Sequence, residues 1–227
     1  MTGKIICKQC DFKSLAARTL SEMELDGLES GCAKTNFKAG ETIVKQNALS
    51  TNVAYLKSGL AKVHFSDSQK ERIMRIIKAP TYMGLPSNFG NKVNQFSVTA
   101  IENCSVCFLD IAAFKKFIYE NGDFAYNIIL EMSKNELKNF VNCLNNTQKQ
   151  TTGRIADAIL FFFKEIYERP TFTLPISRHD LGNLAGTTRE NASRILSQFH
   201  NEGIVRIVGR KVTILNEKLL QQISEKG

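Results

Sequence analysis

Residues 177 to 200 read Ser-Arg-His-Asp-Leu-Gly-Asn-Leu-Ala-Gly-Thr-Thr-Arg-Glu-Asn-Ala-Ser-Arg-Ile-Leu-Ser-Gln-Phe-His, and this pattern predicts two helices joined by a tight turn. The first helix begins at Ser177 as its N-cap, because an acidic residue stands three positions later, as in a capping box. Gly186 supplies the turn, since glycine adopts left-handed backbone conformations without strain. Thr187 or Thr188 caps the second helix. The pattern indicates a helix-turn-helix.

The second helix has one apolar and one polar face. Its apolar positions, which follow helical spacing, are Ala192, Ile195, Leu196 and Phe199. The side chains that a helix in a DNA major groove would direct at base edges are Arg189, Glu190, Ser193 and Arg194. Arginine donates two hydrogen bonds to guanine, and glutamate accepts one from cytosine. The alternative is a solvated face with an i to i+4 ion pair, which is the commoner role of charged helix faces.

Two further features favour DNA binding. After Gly203 the chain has two short β-branched runs around Gly209-Arg210, which predict a hairpin like the wing of a winged helix. Between Arg178 and Lys211 there are six Arg or Lys residues against three acids, so the segment is cationic, as contact with phosphates requires. The whole chain is also basic, with a net charge of +8.

The segments 152–156 and 174–196 resemble the CRP/FNR transcription regulators, and the resemblance covers nearly the whole chain. It implies that Glu190 and Arg194 read bases. At the two neighbouring positions, Arg189 is similar to the residue of the CRP branch and Ser193 to the residue of the FNR branch. The implied operator is therefore a palindrome of TGTGA-like or TTGAT-like half-sites, with the choice open. The residues expected to contact phosphate, from the resemblance and from the wing, are Arg178, His179, Thr188, Asn191, Arg210 and Lys211.

The length of 227 residues suits two domains. Short alternating strands punctuated by glycine, from about residue 35 to 114, predict a β-roll or barrel. The resemblance makes this an α+β protein with an N-terminal double-stranded β-helix, jelly-roll-like and of the cyclic-nucleotide-binding type. The expected domains are a sensor over 1–121, a dimerisation helix and hinge over 122–151, and a winged helix-turn-helix over 152–227.

A long helix is expected after Gly122, and its seam has 4-3 spacing. The seam positions are Tyr126, Leu130, Ser133, Leu137, Phe140 and Leu144. A heptad seam predicts a partner helix, and a palindrome needs two copies of the reader, so we expect a homodimer. The alternative is that the helix packs on its own β-roll, for which Ile128, Ile129 and Met132 are available off the seam.

The predicted effector pocket departs from that of the relatives that bind cyclic AMP. Those proteins hold the phosphate with a Gly-Glu-Leu run and an Arg-Ser pair, and the corresponding positions here are Gly84-Leu85-Pro86 and Asn94-Gln95. Without the arginine, a buried phosphodiester would keep an unpaired charge. The helix positions expected to meet the base are Asn139 and Phe140, which are also changed. We therefore expect a ligand other than cyclic AMP, or DNA binding without an effector.

The six cysteines suggest metal or redox chemistry, because two pairs have Cys-x-x-Cys spacing. In the FNR branch an N-terminal cysteine cluster and one β-roll cysteine ligate an iron-sulfur cluster, and Cys7, Cys10 and Cys107 match three of these positions. The fourth is Ala16, so Cys104 becomes the candidate for the missing thiolate. This requires a bend, because strand residues three apart point to opposite faces.

The alternative interpretation is that the cysteines are ordinary core residues without a metal or redox role, since free cysteine is among the most buried residue types. Cys32 and Cys143 are interpreted as core or interface residues. No catalytic motif is recognisable, and the three histidines lie far apart, so we do not expect an enzyme. The absence of a signal peptide or an apolar span predicts a cytoplasmic protein. Its expected partners are duplex DNA, a second copy of the chain and RNA polymerase, and no membrane contact is expected. The alternative function is a helix-turn-helix that binds a protein instead of DNA, and that function predicts binding insensitive to salt.

Overall fold

The structure, a computed structural model, describes residues 7–67 and 70–227. The first six residues of the predicted sensor domain lie outside this description. The chain forms two compact units: one comprises the residues up to Lys70 together with Met74–Leu137, and the other comprises Glu71–Ile73 together with Lys138–Gly227. Among the described helices, none has the length and apolar character needed to cross a bilayer.

The N-terminal half is rich in short strands, as the glycine-punctuated pattern predicts. Its strands are β1 (Cys32–Phe37), β2 (Thr42–Val44), β3 (Asn52–Ser58), β4 (Leu60–Ser66), β5 (Glu71–Lys78), β6 (Thr81–Met83), β7 (Ser97–Ala100) and β8 (Cys104–Asp110). Its helical segments are a 3₁₀ turn (Cys7–Gln9), α1 (Leu15–Arg18), α2 (Glu22–Ser30), α3 (Leu85–Phe89), α4 (Ile111–Glu120) and the start of the long helix α5 (Gly122–Gln148).

Two four-stranded antiparallel sheets, ordered β1-β8-β3-β6 and β2-β7-β4-β5, form the β-roll. Successive side chains of a strand point to opposite faces. On β3, Ala54 and Leu56 therefore enter a core shared by the two sheets, while Val53 and Tyr55 enter a second core under the helices. The predicted β-roll is confirmed.

The second core joins the outer face of the first sheet to α1, α2, α4 and the start of α5. Aromatic rings fill it: the centroids of Phe114 and Phe124 are 5.2 Å apart in an edge-to-face arrangement, a geometry that stabilises a packed core. Ile128 of α5 is buried here and Met132 packs against it. The expectation that Ile129 packs with them is wrong, because 58% of its surface is exposed.

The C-terminal unit contains the predicted helix-turn-helix and wing. After the end of α5 come α6 (Thr151–Phe161), a π-helical turn (Phe162–Tyr167), β9 (Thr171–Thr173), α7 (Arg178–Ala185), α8 (Arg189–Asn201), β10 (Val205–Val208), β11 (Lys211–Ile214) and α9 (Glu217–Lys226). The strands form one sheet in the order β10-β11-β9. The hairpin β10-β11 turns at Gly209, whose φ of 60° is left-handed, so glycine fits this position.

Arg154 fixes the segment that enters this unit. Its Nε donates to the carbonyl of Ala185 at 2.6 Å, at the end of α7. Its Nη1 donates to the carbonyl of Lys149 at 2.5 Å, and its Nη2 donates to the hydroxyl of Thr151 at 3.2 Å. One guanidinium thus ties the end of α5 and the start of α6 to the first helix of the helix-turn-helix.

Candidate nucleic-acid interface

The helix-turn-helix begins and turns as its local sequence dictates. The Ser177 hydroxyl accepts the N–H of Asp180 at 3.0 Å, and the Asp180 carboxylate accepts the N–H of Ser177 at 3.3 Å, which completes the capping box. Gly186 ends α7 with a left-handed φ of 63°. Thr188 caps α8 by accepting the N–H of Asn191 at 3.2 Å, so of the two threonines Thr188 is the N-cap.

One face of α8 is buried and the other is exposed. The buried side chains are Ala192, Ile195, Leu196 and Phe199. On the opposite side Arg189, Glu190 and Arg194 are exposed and Ser193 is half-buried. Within the described chain, Arg194 does not pair with Glu190; its Nη2 donates to the Asn191 Oδ1 at 2.9 Å.

Glu190 is held in its ionised form. Its own backbone N–H and the Thr188 hydroxyl donate to its carboxylate, and these hydrogen bonds, together with the nearby charges of Arg189 and His179, lower its pKa. A carboxylate near the N-terminus of a helix is also favoured by the helix dipole. The first two turns of α8 therefore present a charged hydrogen-bond acceptor, Glu190, together with two guanidinium donors, Arg189 and Arg194.

A cationic patch lies where α7 begins beside the wing. The Arg178 Nη2 donates to the carbonyl of Gly209 at 3.2 Å. Its Nη1 is buried, and no group in residues 7–67 and 70–227 accepts a hydrogen bond from it. Burial and the neighbouring charge of Arg210 lower the pKa of Arg178. An oxygen of a phosphate could accept a hydrogen bond from this N–H, and its negative charge would be favoured by both arginines.

The other predicted phosphate contacts lie around this patch. His179 is exposed, and its ring lies 3.4 Å from the side-chain nitrogen of Asn183. The Arg210 Nε donates to the carbonyl of Leu174 at 3.1 Å, which fixes the side chain at the wing, and Lys211 is exposed. Thr188 and Asn191 lie at the start of α8. The structure thus places all six residues at one end of α7, at the start of α8 or on the wing.

The α5 seam is largely exposed on the single chain. Leu137, Phe140 and Leu144 are 66%, 60% and 53% exposed, and Tyr126 is 60% exposed. Ser133 is also exposed, and Leu130 is half-buried. An exposed stripe that is mostly apolar, with Ser133 as its polar member, marks a surface for another helix.

The cysteines separate into two environments. Cys7 and Cys107 are both buried; Cys107 belongs to the second core, and half-buried Cys32 packs against that core. Cys104 lies in the core between the sheets, where its Sγ donates to the carbonyl of Leu60 at 3.3 Å. Cys10 is half-buried, and its N–H donates to the carbonyl of Cys7 at 3.2 Å.

Comparisons with known proteins agree with this architecture. The model of the cyclic nucleotide-binding domain matches residues 34–121, and that of the Crp-like helix-turn-helix domain matches residues 153–223. The chain is 24% identical to the transcriptional activator protein FnrA of Stutzerimonas stutzeri, over 92% of this chain and 88% of FnrA. It is 25% identical to the fumarate and nitrate reduction regulatory protein of Vibrio cholerae, over 97% of this chain and 90% of the relative.

The chain belongs to the CRP/FNR family of transcription regulators. Solved structures show the same fold. FixK2 from Bradyrhizobium japonicum matches with a TM-score of 0.75 and 22% identity, over 85% of this chain and 96% of FixK2. A CooA mutant from Carboxydothermus hydrogenoformans matches with a TM-score of 0.72 and 18% identity, over 96% of this chain and 99% of CooA. This CRP/FNR protein is therefore a DNA-binding regulator, and its family is one of regulators, not enzymes.

The iron-sulfur site implied by the FNR branch does not fit these residues. Cys104 and Cys107 leave β8 on opposite faces, so the prediction that Cys104 completes the ligand set is wrong. The remaining position is Ala16, which is buried. Within residues 7–67 and 70–227, no three or more His, Cys, Asp or Glu side chains are grouped so that they could hold a metal ion. Cys32, interpreted from the sequence as a core or interface residue, packs against the second core, which contains Cys107.

The residues of the predicted effector pocket are engaged in local structure or lie on α5. Gly84 is the N-cap of α3 with a φ of 78°, and Leu85 is buried. The Asn94 Nδ2 donates to the carbonyl of Lys45 at 3.2 Å, and the Gln95 Nε2 donates to the carbonyl of Val93 at 3.2 Å. The two helix positions, Asn139 and Phe140, belong to the C-terminal unit and are exposed.

Proposed function

We propose that this CRP/FNR regulator is a homodimer that binds a palindromic operator and reads each half-site with α8. The observation that carries the proposal is the exposed polar face of that helix above a fully buried apolar face. Its base-reading residues are Arg189, Glu190, Ser193 and Arg194. These side chains lie in the first two turns of α8, the part of a recognition helix that reaches base edges in the major groove.

The charges of this face suit a half-site of the TGTGA or TTGAT type. Arg194 and Arg189 can each donate a pair of hydrogen bonds to guanine, and ionised Glu190 can accept from cytosine. In the free protein Arg194 bonds to Asn191, and this contact pre-orients the guanidinium on the exposed side of α8. Ser193 is half-buried beside them and supplies a hydroxyl that can donate or accept.

Phosphate contacts position the helix on the DNA. The unsatisfied Nη1 of Arg178 and the adjacent charge of Arg210 favour an anion at the junction of α7 and the wing. The other contacts in the proposal are His179, Thr188, Asn191 and Lys211. Such contacts supply most of the sequence-independent affinity and make it decrease as salt concentration rises.

The dimer forms through the α5 seam. A palindrome presents two half-sites about 34 Å apart, which two recognition helices related by a two-fold axis can read together. The exposed side chains of Leu137, Phe140 and Leu144 provide the apolar contact. The working division of the chain is a sensor over 1–121, a dimerisation helix with hinge over 122–151, and a reader over 152–227.

The β-roll regulates DNA binding through a signal other than cyclic AMP, or leaves it constitutive. The amides of Asn94 and Gln95 are bonded to backbone carbonyls, and neither residue carries the positive charge that a cyclic phosphate needs. The regulator acts in the cytoplasm, where its DNA and RNA polymerase are found.

The proposal is tested by selection from a randomised palindromic DNA pool, followed by measurement of affinity for single-base variants of the selected site at several salt concentrations. Arg194→Ala should cost about 1–3 kcal/mol at one base position. The matched control is Arg206→Ala, which removes the same charge from the exposed wing strand β10 and should weaken all sequences equally. Equal losses at every position for both variants, or affinity that does not change with salt, would overturn the proposal and favour a protein-contact module.

A further inference from the structure

The long helix α5 and the helix-turn-helix are joined by a very short link. α5 ends at Gln148 and α6 begins at Thr151, so the link consists of Lys149 and Gln150. The C-terminal part of α5, from Lys138 onward, lies in the same compact unit as α8. The angle between α5 and α6 at this link therefore fixes how the recognition helix stands relative to the end of the seam.

A mostly buried ion pair spans the link. The Lys149 Nζ donates to both carboxylate oxygens of Asp157, at 2.8 Å each, and Asp157 lies in the second turn of α6. The two side chains are 17% and 26% exposed. The hydroxyl of Ser224, a buried residue of α9, donates to the same carboxylate. We call Lys149, Asp157 and Ser224 the junction lock.

Arg154 holds the same link through the backbone. Its guanidinium donates to the carbonyl of Lys149 at 2.5 Å and to the carbonyl of Ala185, at the end of α7, at 2.6 Å. The side chain of Lys149 is thus bonded to α6, and its carbonyl is bonded to the arginine that also holds α7. A rotation of α6 about the link would strain both sets of hydrogen bonds, because they weaken steeply with changes in distance and angle.

The chemistry of the junction lock points to orientation rather than stability. Taking two charges out of water costs free energy that offsets much of their attraction, so a buried ion pair adds little net stability compared with apolar side chains of similar volume. Its geometry is nevertheless narrow, because an ammonium group bonded to both oxygens of a carboxylate loses a hydrogen bond when either helix turns. Apolar contacts are non-directional and permit such a shift. The lock therefore favours one angle between α5 and α6.

A small rotation at the link is large on the scale of DNA. α6 packs against α8, so the recognition helix lies about one helix diameter, or about 10 Å, from α6. At that distance a rotation of about 20° displaces α8 by about 3.5 Å. Duplex DNA rises by about 3.4 Å for each base pair. The angle that the junction lock holds thus corresponds to a choice of operator length to within about one base pair.

We propose that Lys149 and Asp157 are positioning residues that set the separation of the two recognition helices in a dimer, and so determine the half-site spacing that the protein accepts. The inference rests on the proposed function, because half-site spacing matters only to a dimer on a palindrome. Ser224 holds the Asp157 carboxylate in place. The three residues act through α6, and the reading of bases stays with α8.

The test measures how the full-length protein tolerates changes in operator spacing. Palindromes are built from the selected half-site with the preferred spacer and with spacers one base pair shorter or longer, and dissociation constants are measured by fluorescence anisotropy at one salt concentration. Each added base pair displaces the second half-site by about 3.4 Å and turns it by about 35°. For the unmutated protein, a change of one base pair should weaken binding about thirtyfold, which is comparable with the effect of a mismatched base.

Lys149→Gln removes the ion pair and should reduce this spacing preference to about threefold, because the recognition helices can then follow a displaced half-site. Its affinity for a single half-site should not change, since no base contact is lost. Asp157→Glu keeps both charges but lengthens one arm of the pair by a methylene, so it should reduce the preference to about tenfold. Circular dichroism checks that each variant is folded, and Asp157→Glu decides the matter if Lys149→Gln does not fold.

The matched control is Lys164→Gln. Lys164 pairs with Glu217 at 3.1 Å and joins the π-helical turn to α9 in the same unit, so the variant removes the same charge without changing the link, and it should keep the spacing preference of the unmutated protein.

The inference is overturned, and the proposed function stands, if Lys149→Gln discriminates between spacers as strongly as the unmutated protein. The same holds if Lys164→Gln relaxes the preference equally, or if the unmutated protein binds every spacing of its palindrome with the same affinity. An unmutated protein that binds one half-site as tightly as any palindrome would instead overturn the proposed dimer on its operator, and the inference with it.

Discussion

Replacing Leu137 by alanine tests the proposed dimer helix most directly. The substitution removes three carbons, each worth about 0.8 kcal/mol when it leaves water. Leu137 is 66% exposed on the single chain, so a partner helix can bury about two thirds of the surface of these carbons. Their removal therefore costs each chain about 1.6 kcal/mol of contact energy. A two-fold dimer contains the position twice, so the loss is about 3 kcal/mol, or about a hundredfold in the dimer dissociation constant.

The measurement is sedimentation equilibrium across a range of protein concentrations, with circular dichroism to show that the fold is retained. Leu49→Ala is the matched control, because Leu49 is 72% exposed but lies outside α5, and it should leave the dissociation constant unchanged. If Leu137→Ala dimerises as tightly as the unmutated protein, or if both variants weaken it equally, the seam is not the interface.

Two other predictions concern the β-roll. Gly40→Ala should destabilise the protein by about 1 kcal/mol, because Gly40 has a left-handed φ of 90° but no atom of the described chain lies within 4 Å of the added carbon. Gly59→Ala should cost about 1–3 kcal/mol more than Gly40→Ala, because at a φ of 98° the added carbon would lie 2.6 Å from the Asn103 carbonyl oxygen. Urea unfolding measures the stability of both variants, and equal losses of stability would contradict the steric argument. The pKa of Cys107 is lowered to about 7, while burial raises that of Cys104 to about 11. Alkylation of Cys107 by iodoacetamide should therefore increase with pH through a midpoint near 7, as its thiolate forms, and Cys104 should remain unmodified there; mass spectrometry that found the same pH profile for both would refute the assignment.

The helix-turn-helix was predictable because local rules specify it. Ser177 forms its capping box with a residue three positions away, and Gly186 takes the left-handed conformation that its place after α7 requires. The apolar residues of α8 recur at helical spacing, so the sequence alone predicts which face of this helix is exposed. Choosing Thr188 over Thr187 as the cap needed the structure, since both can accept the same hydrogen bonds.

The surroundings of the cysteines were not predictable, because they depend on contacts between distant parts of the chain. Strand alternation already indicated that Cys104 and Cys107 point apart, and the structure shows this. That Cys32 lies near Cys107 follows only from the register that places Lys34 opposite Cys107. Sequence spacing drew attention to Cys7 and Cys10 and gave no signal for Cys32.

The packing of α5 shows a similar limit. Periodicity separated the seam from the rest of the helix, but it could not divide the remaining positions between the β-roll and water. Ile128 and Ile129 are adjacent and chemically identical, yet the first is buried and the second is 58% exposed. The difference is set by where the helix meets the ring of Phe114 and its neighbours, which is a property of the folded sheet.

The buried Nη1 of Arg178 and its neighbour Arg210 also affect how the free protein behaves. A donor without an acceptor beside a second cation is costly in the absence of DNA, so any polyanion that supplies phosphate or sulfate oxygens there relieves that cost. Through contact with Arg178 and Arg210, heparin and random-sequence DNA should therefore raise the melting temperature of the protein as much as the same contact with an operator does. Under the proposed function, such contacts would hold the regulator on non-specific DNA, and its search for an operator would be a transfer between DNA sites rather than a capture from solution.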